Sequence, residues 1–191
     1  MRSLLQNLIF VFCVLGPVGV FPQVPGFGQC PTHPVMKKFD YRKFLGEWYE
    51  VARQFTWFEL GWKCVYTNVT DLGGKVLGFM DRAVTIFDAK LFFDGKTKPL
   101  DPKEPAKLVF KPFDKLPFRM KLWILDTDYK EYCIFWTCVD FLKVSHAENL
   151  WIYSRNKTIR QSTKVKIIQF LDKNKVNRYG LKHTNQTNCP W

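Results

Sequence analysis

From about residue 48 to residue 155 the chain is a succession of short apolar-rich runs broken by turn residues. Trp48–Arg53, Lys63–Asp71, Lys75–Asp81, Val84–Phe93, Ala106–Phe113, Met120–Asp126, Glu131–Val139 and Asn149–Ser154 read as strands. Between them stand Leu72-Gly73-Gly74, Asp94-Gly95, Pro99 to Pro105, Pro112 to Pro117 and Asp126-Thr127-Asp128, all turn chemistry. Eight β-rich runs at short spacing predict an all-β domain, either an up-and-down antiparallel barrel or a sandwich. An immunoglobulin-like sandwich would need a Cys-Trp-Cys core pattern, which does not lie along this chain. One segment has a different period. In Thr158–Lys173, residues Ile167, Ile168, Phe170 and Leu171 fall within half a helical circumference, opposite Lys166, Gln169 and Lys173. That predicts one amphipathic helix over about 158–173, packed by a single face on the sheet. A short strand or extended tail is expected through Tyr179 to Trp191. Strands, one helix and a tail make a single domain over 37–191, preceded by an irregular, Pro- and Gly-rich leader over 21–36. A closed eight-stranded barrel is wide enough inside for one small ligand. Its inward positions alternate along every strand, so ligand specificity leaves no compact motif.

The ends and the charge narrow the setting. Arg2, an apolar run from Leu8 to Leu15 and the small residues Gly16 and Gly19 read as a secretory signal peptide over 1–20. The run is shorter than the roughly 20 apolar residues of a membrane span. The chain has 29 Lys and Arg against 17 Asp and Glu. Setting Arg2 aside leaves 28 against 17, a net charge of +11. Such a balance fits nucleic acid, an anionic membrane or proteoglycan, or an anionic ligand. Secretion argues against nucleic acid, and the lysines between Lys90 and Lys121 interleave with acids, as on a solvated surface.

Beyond the signal segment stand Cys30, Cys64, Cys133, Cys138 and Cys189, which outside a cell predict two disulfides and one leftover thiol. None has metal-binding spacing, and no metal or cofactor is implied. Sequons at Asn68, Asn156 and Asn185 fit the same compartment.

Three separated sites carry more. Gly46-Glu47-Trp48-Tyr49 opens the first strand, where an indole can plug one end of a barrel after a tight turn at Gly46. Asp126-Thr127-Asp128, followed by Tyr129, suits a tight hairpin. Arg155, at the end of Trp151-Ile152-Tyr153-Ser154, can lie over the Trp48 indole. All three are expected to gather at the closed end and to serve folding.

Gly46-x-Trp48, Thr127-Asp128-Tyr129 and Arg155, in that order, resemble the signature regions of the lipocalins. Cys30-Pro31, Phe39-Asp40, Glu104 to Leu108, Trp123-Ile124-Leu125 and Asn188-Cys189-Pro190 extend the resemblance toward the family branch of apolipoprotein D and the insect bilin-binding proteins. It covers roughly residues 28–190. The resemblance implies an eight-stranded calyx, pairing of Cys30 with Cys138 and of Cys64 with Cys189, and glycosylation at Asn68. It also implies a ligand wall including Tyr49, Trp151 and Tyr153. If Cys138 points outward, alternation sends Cys133, Phe135 and Thr137 inward, and Phe135 joins that wall. Trp57, Phe58, Leu60 and Trp62 make the first long loop aromatic, either as a cap or as a docking patch.

The function implied is secreted transport of a small hydrophobic molecule: a fatty acid, steroid, retinoid or tetrapyrrole. The lysine surplus favours a carboxylate-bearing ligand. One alternative is a surface-interaction protein using its basic face and aromatic loop on an anionic membrane or proteoglycan, with a receptor or lipoprotein as further partners. Another is a thiol-dependent isomerase using Cys133, which would need a base from His33, His146 or His183. His33 and His183 fall in the leader and tail, and His146 in a predicted turn.

Overall fold

The computed structural model describes residues 24–56, 59–112 and 119–191. The signal peptide expected over 1–20 lies outside them, as do Trp57, Phe58 and the Pro117 end of one predicted turn. Among the described residues the strands are β1 (Val24–Phe27), β2 (Gly46–Arg53), β3 (Lys63–Asp71), β4 (Leu77–Val84) and β5 (Lys90–Pro99). They continue as β6 (Lys107–Pro112), β7 (Met120–Thr127), β8 (Tyr132–Phe141), β9 (Ser145–Ser154) and β10 (Lys182–His183). Two helices, α1 (Tyr41–Phe44) and α2 (Gln161–Lys173), accompany them. Each strand from β2 to β9 pairs antiparallel with the next, and β9 pairs back onto β2, so these eight close into a barrel.

The seam is staggered. The first half of β9, Ser145–Glu148, pairs with β1, and its second half, Trp151–Ser154, pairs with β2. On the other side β10 takes the end of β2, at Ala52 and Arg53. The two short strands thus cover edges that the barrel's tilt would leave open.

Alternation sorts the side chains into two cores. Cys133 and Phe135 of β8 pack inside the barrel with Trp48, Phe79 and Trp151. Tyr132, Ile134 and Trp136, between them in sequence, pack outside with Ile167 and Leu171 of α2. The buried residues of α2 are Thr163, Ile167 and Leu171, a stripe of period four. Its first turn is tied to the barrel, where the Thr163 hydroxyl donates to the Glu131 carboxylate and Arg160 Nη1 lies 3.1 Å from it. Cys30–Cys138 and Cys64–Cys189 are disulfides spanning 108 and 125 residues. On the chain-entropy account each contributes about 4–5 kcal/mol, less any native strain. The first fastens the leader to β8 and the second fastens the tail to β3.

Four expectations need correction. The leader is not wholly irregular, since Val24–Phe27 is a paired strand. The helix begins at Gln161 rather than near 158, and Ile168, placed on its apolar face, is exposed. The short helix α1 was not foreseen; Asp40 caps it by accepting from the backbone N–H of Arg42 at 3.0 Å. Finally, Asp94-Gly95 is no turn but the middle of β5. The reversal is made earlier, where the Thr85 hydroxyl accepts from the backbone N–H groups of Phe87 and Ala89. Gly95 is small for a different reason: a Cβ there would lie 2.3 Å from the Phe110 ring.

Candidate ligand cavity

The closed end is built from segments far apart in sequence. Gly46, at φ +94°, turns the chain from α1 into β2 and sends Trp48 inward, where it is fully buried. Its indole N–H donates to the Phe44 carbonyl at 2.8 Å, and the two rings stack at 4.9 Å. The Arg155 guanidinium lies 3.8 Å from the centre of the indole. It donates from Nη1 to the Glu47 carbonyl (2.9 Å), from Nη2 to that of Lys43 (3.0 Å) and from Nε to that of Tyr129 (3.0 Å). One side chain therefore ties three segments to the plug. Asp128 organises the hairpin, with Oδ1 accepting from the backbone N–H groups of Lys130, Glu131 and Tyr132. Thr127 Oγ accepts from Tyr129 N–H at 3.0 Å and donates to the Tyr132 carbonyl. Tyr129 joins the leader by accepting from Asp40 N–H at 2.9 Å. The signature residues hold a lid of backbone and indole across one end.

Above this floor is a cavity of about 120 Å³. Val65, Phe79, Phe93, Phe110, Met120 and Leu122 supply apolar wall. Phe135, Trp151 and Tyr153, expected on the ligand wall, line it too. Tyr49 does not. Trp48 points in, so Tyr49 points out, where its ring meets Tyr66 at 5.5 Å and its hydroxyl donates to Glu47 at 3.1 Å. The floor cluster also holds Cys133, fully buried, whose thiol burial pushes well above its ordinary pKa.

The mouth carries charge that pattern reading missed. Arg53, at the end of β2, ion-pairs through Nη1 with the Glu50 carboxylate. From Nη2 it donates to the carbonyls of Glu59 and Trp62, at 2.8 Å each, which holds the loop before β3 over the barrel. Of that loop's aromatic residues, Trp62 leans on Phe93 at 5.5 Å, and Leu60 is exposed. The Glu59 carboxylate faces the cavity and accepts from the Trp151 indole N–H at 3.1 Å and from the Thr56 hydroxyl. Asp81 of β4 also faces the cavity, and burial pushes its carboxyl up to about 7. Its signal was present, because Leu77, Phe79, Asp81 and Ala83 share one alternation and three of the four are apolar. Glu50, completely buried, is likewise raised to about 7, by burial first and by Glu59 second. No lysine lines the cavity among the described residues, so the surplus of positive charge gives no support to a carboxylate-bearing ligand.

The remaining predicted residues sit outside the cavity. Asn68 is half-buried on β3, and Asn156 and Asn185 are exposed. His33 and His146 are buried beneath the leader on the outer face of the barrel, and His146 belongs to β9 rather than to a turn. There they meet Glu148, which accepts from the Trp136 indole N–H at 2.9 Å. With His183 exposed on β10, no histidine reaches the buried Cys133 thiol, and the isomerase reading loses its base.

Residues 45–188 match the model of the lipocalin / cytosolic fatty-acid binding protein family. The chain belongs to the lipocalin family. It is 30% identical over 164 residues to apolipoprotein D of Cavia porcellus, covering 86% of each chain. It is 26% identical over 146 residues to the bilin-binding protein of Pieris brassicae, covering 75% of this chain and 76% of that one. The solved structure of insecticyanin from Manduca sexta superposes with a TM-score of 0.76 at 24% identity, over 87% of this chain and 91% of that one. The resemblance read from the three signature regions is thus upheld, as is the eight-stranded barrel with its C-terminal helix.

Proposed function

We propose that this lipocalin is a secreted carrier that encloses a small hydrophobic ligand in its barrel cavity. The observation that carries the reading is the apolar chamber above the Trp48 plug, walled by Phe79, Phe110, Phe135 and Trp151 and reached past a loop held by Arg53. Concave, mostly apolar chambers with a few placed polar groups are the ordinary form of a small-molecule site. Two long-range disulfides and exposed sequons at Asn156 and Asn185 support an extracellular setting. A relative named for bilin binding supports the carrier role by likeness. The chamber's size matters, because an apolar cavity of roughly 150 Å³ takes one benzene ring. A ring-sized apolar group fits it as it stands, whereas a steroid, retinoid, fatty acid or tetrapyrrole requires the wall or the Trp62 loop to move outward.

Trp151 provides the reporter. Native mass spectrometry of the secreted protein should show a co-purified small molecule, or the emptied protein should show tryptophan quenching with ring-sized apolar compounds. An empty barrel whose fluorescence responds to none of the retinoids, fatty acids, tetrapyrroles or small aromatics would end the carrier reading.

A further inference from the structure

Among the described residues the cavity is lined by two carboxyl groups, Glu59 and Asp81, and a third, Glu50, is buried beside them on Arg53. Arg53 is fully engaged with Glu50 and with the loop carbonyls of Glu59 and Trp62. Glu50 is further held by the Thr184 hydroxyl of the tail. Glu59 has the Trp151 indole, Thr56 and, at 3.8 Å, Arg53 Nε. Asp81 has no ion pair among the described residues. Its neighbour in the chain, Arg82, points to the outer face, where it lies 3.4 Å from Asp94 and 5.0 Å from the centre of the Phe92 ring. Directly across the β3–β4 pair stands Thr67. Its hydroxyl is 1% exposed, lines the same cavity and completes no hydrogen bond of ordinary geometry, although its nearness moderates the carboxyl's rise. Tyr153, half-buried, also lines the chamber, and desolvation and these carboxylates push its hydroxyl well above its ordinary pKa.

A carboxyl facing an apolar chamber is expensive to ionise without a partner. Within the protein the groups facing Asp81 do not provide one: Glu59 and Asp94 repel its charge, and Arg82 attracts it only weakly from outside. Around it stand the rings of Phe79, Phe93 and Phe110, which favour an apolar body and, wherever a ring face meets the ligand, a cation. We propose that the calyx selects a protonated amine carried on a ring-sized apolar body, its ammonium paired with Asp81 and seconded by Glu59. The inference rests on the carrier reading and gives the polar end of the ligand. An ammonium donates three hydrogen bonds and accepts none, matching the cavity-facing carboxylates; a carboxylate ligand would meet like charge.

The test uses three probes of one shape, 2-phenylethylamine, 2-phenylethanol and 3-phenylpropionate, titrated calorimetrically into the mature glycosylated protein at pH 8. The amine is expected to bind at least ten-fold more tightly than the alcohol, and the propionate more weakly than both. In D81N the amine-to-alcohol ratio should fall toward one, and in E59Q it should fall part of the way. Because D81N removes an unmatched charge facing the apolar chamber, it should fold at least as stably as wild type, which its thermal unfolding will show. Lowering the pH from 8 to 5.5 should weaken the amine and leave the alcohol unchanged. An alcohol or propionate that binds as well as the amine would overturn the inference while leaving the carrier standing, as would an unaltered ratio in both variants. Failure of all three probes to bind would overturn the inference as well; the carrier reading falls only if the co-purified molecule and the wider quenching series are also blank.

Discussion

The two ends of the barrel interior treat polar groups in opposite ways. At the closed end each cation or carboxylate meets its complement: Arg155 reaches three carbonyls and an indole, and Asp128 accepts three backbone N–H groups. In the chamber above, among the described residues, the Asp81 carboxyl has no ion-pair partner and Thr67 Oγ completes no hydrogen bond of ordinary geometry. Buried polar groups are overwhelmingly satisfied in folded proteins, so an unpaired carboxyl beside an unsatisfied hydroxyl in an apolar chamber asks for an explanation. The closed end is complete as folded; on the proposal above, the chamber is completed by what enters it. The same contrast holds between two carboxyls on opposite faces of the wall. Glu148, outside, is held below its ordinary pKa against the effect of burial by His33, Trp136 and His146, whereas Asp81, inside, is raised to about 7.

The largest effect expected on this comparison comes from emptying the plug. Trp48→Ala removes a fully buried indole and the ring over which Arg155 lies. It should lower the free energy of unfolding by about 3–5 kcal/mol in urea titrations, because the floor cannot collapse around Phe44 and Phe135. A loss well below that range would mean that the closed end is not the matched, rigid region described. The smallest effect belongs to Cys133. Its thiol is completely buried and raised in pKa, so a maleimide reagent should leave native protein unlabelled and label it once only in denaturant. Rapid labelling of native protein would reopen the chemistry of that thiol.

The closed end was legible in the sequence because its parts are short, local and chemically particular. Gly46 before Trp48 and the Asp and Thr of the hairpin each do their work within a few residues, and Arg155 has one aromatic face to cover. The strand count and the outer helix followed from period alone. The interior was less readable. Tyr49 was placed on the wall by likeness, although alternation from Trp48 turns it outward. Gly95 was read as a turn because Asp-Gly favours one, whereas its role is to make room for the Phe110 ring across the sheet, a contact with no local trace. Asp81 stood in phase with Leu77 and Phe79, which marks it as inward. That one carboxyl would lack a partner while Glu59 and Glu50 have theirs depends on loop and tail positions that no periodicity carries.

On the proposal above, Asp81 is ionised at the protein's expense until an ammonium meets it. Its folded pKa lies above the unfolded value of about 3.9. The folded state therefore holds an extra proton between roughly pH 4 and 7, and stability is lost as pH rises through that window. Glu50, raised in the same direction, adds to the loss in wild type and in D81N alike. Urea unfolding of both proteins at a series of pH values isolates the Asp81 part. Between pH 5 and pH 8 wild type should lose about 2 kcal/mol relative to D81N, and saturating 2-phenylethylamine at pH 8 should narrow the gap. Parallel curves for the two proteins, with or without the amine, would contradict it.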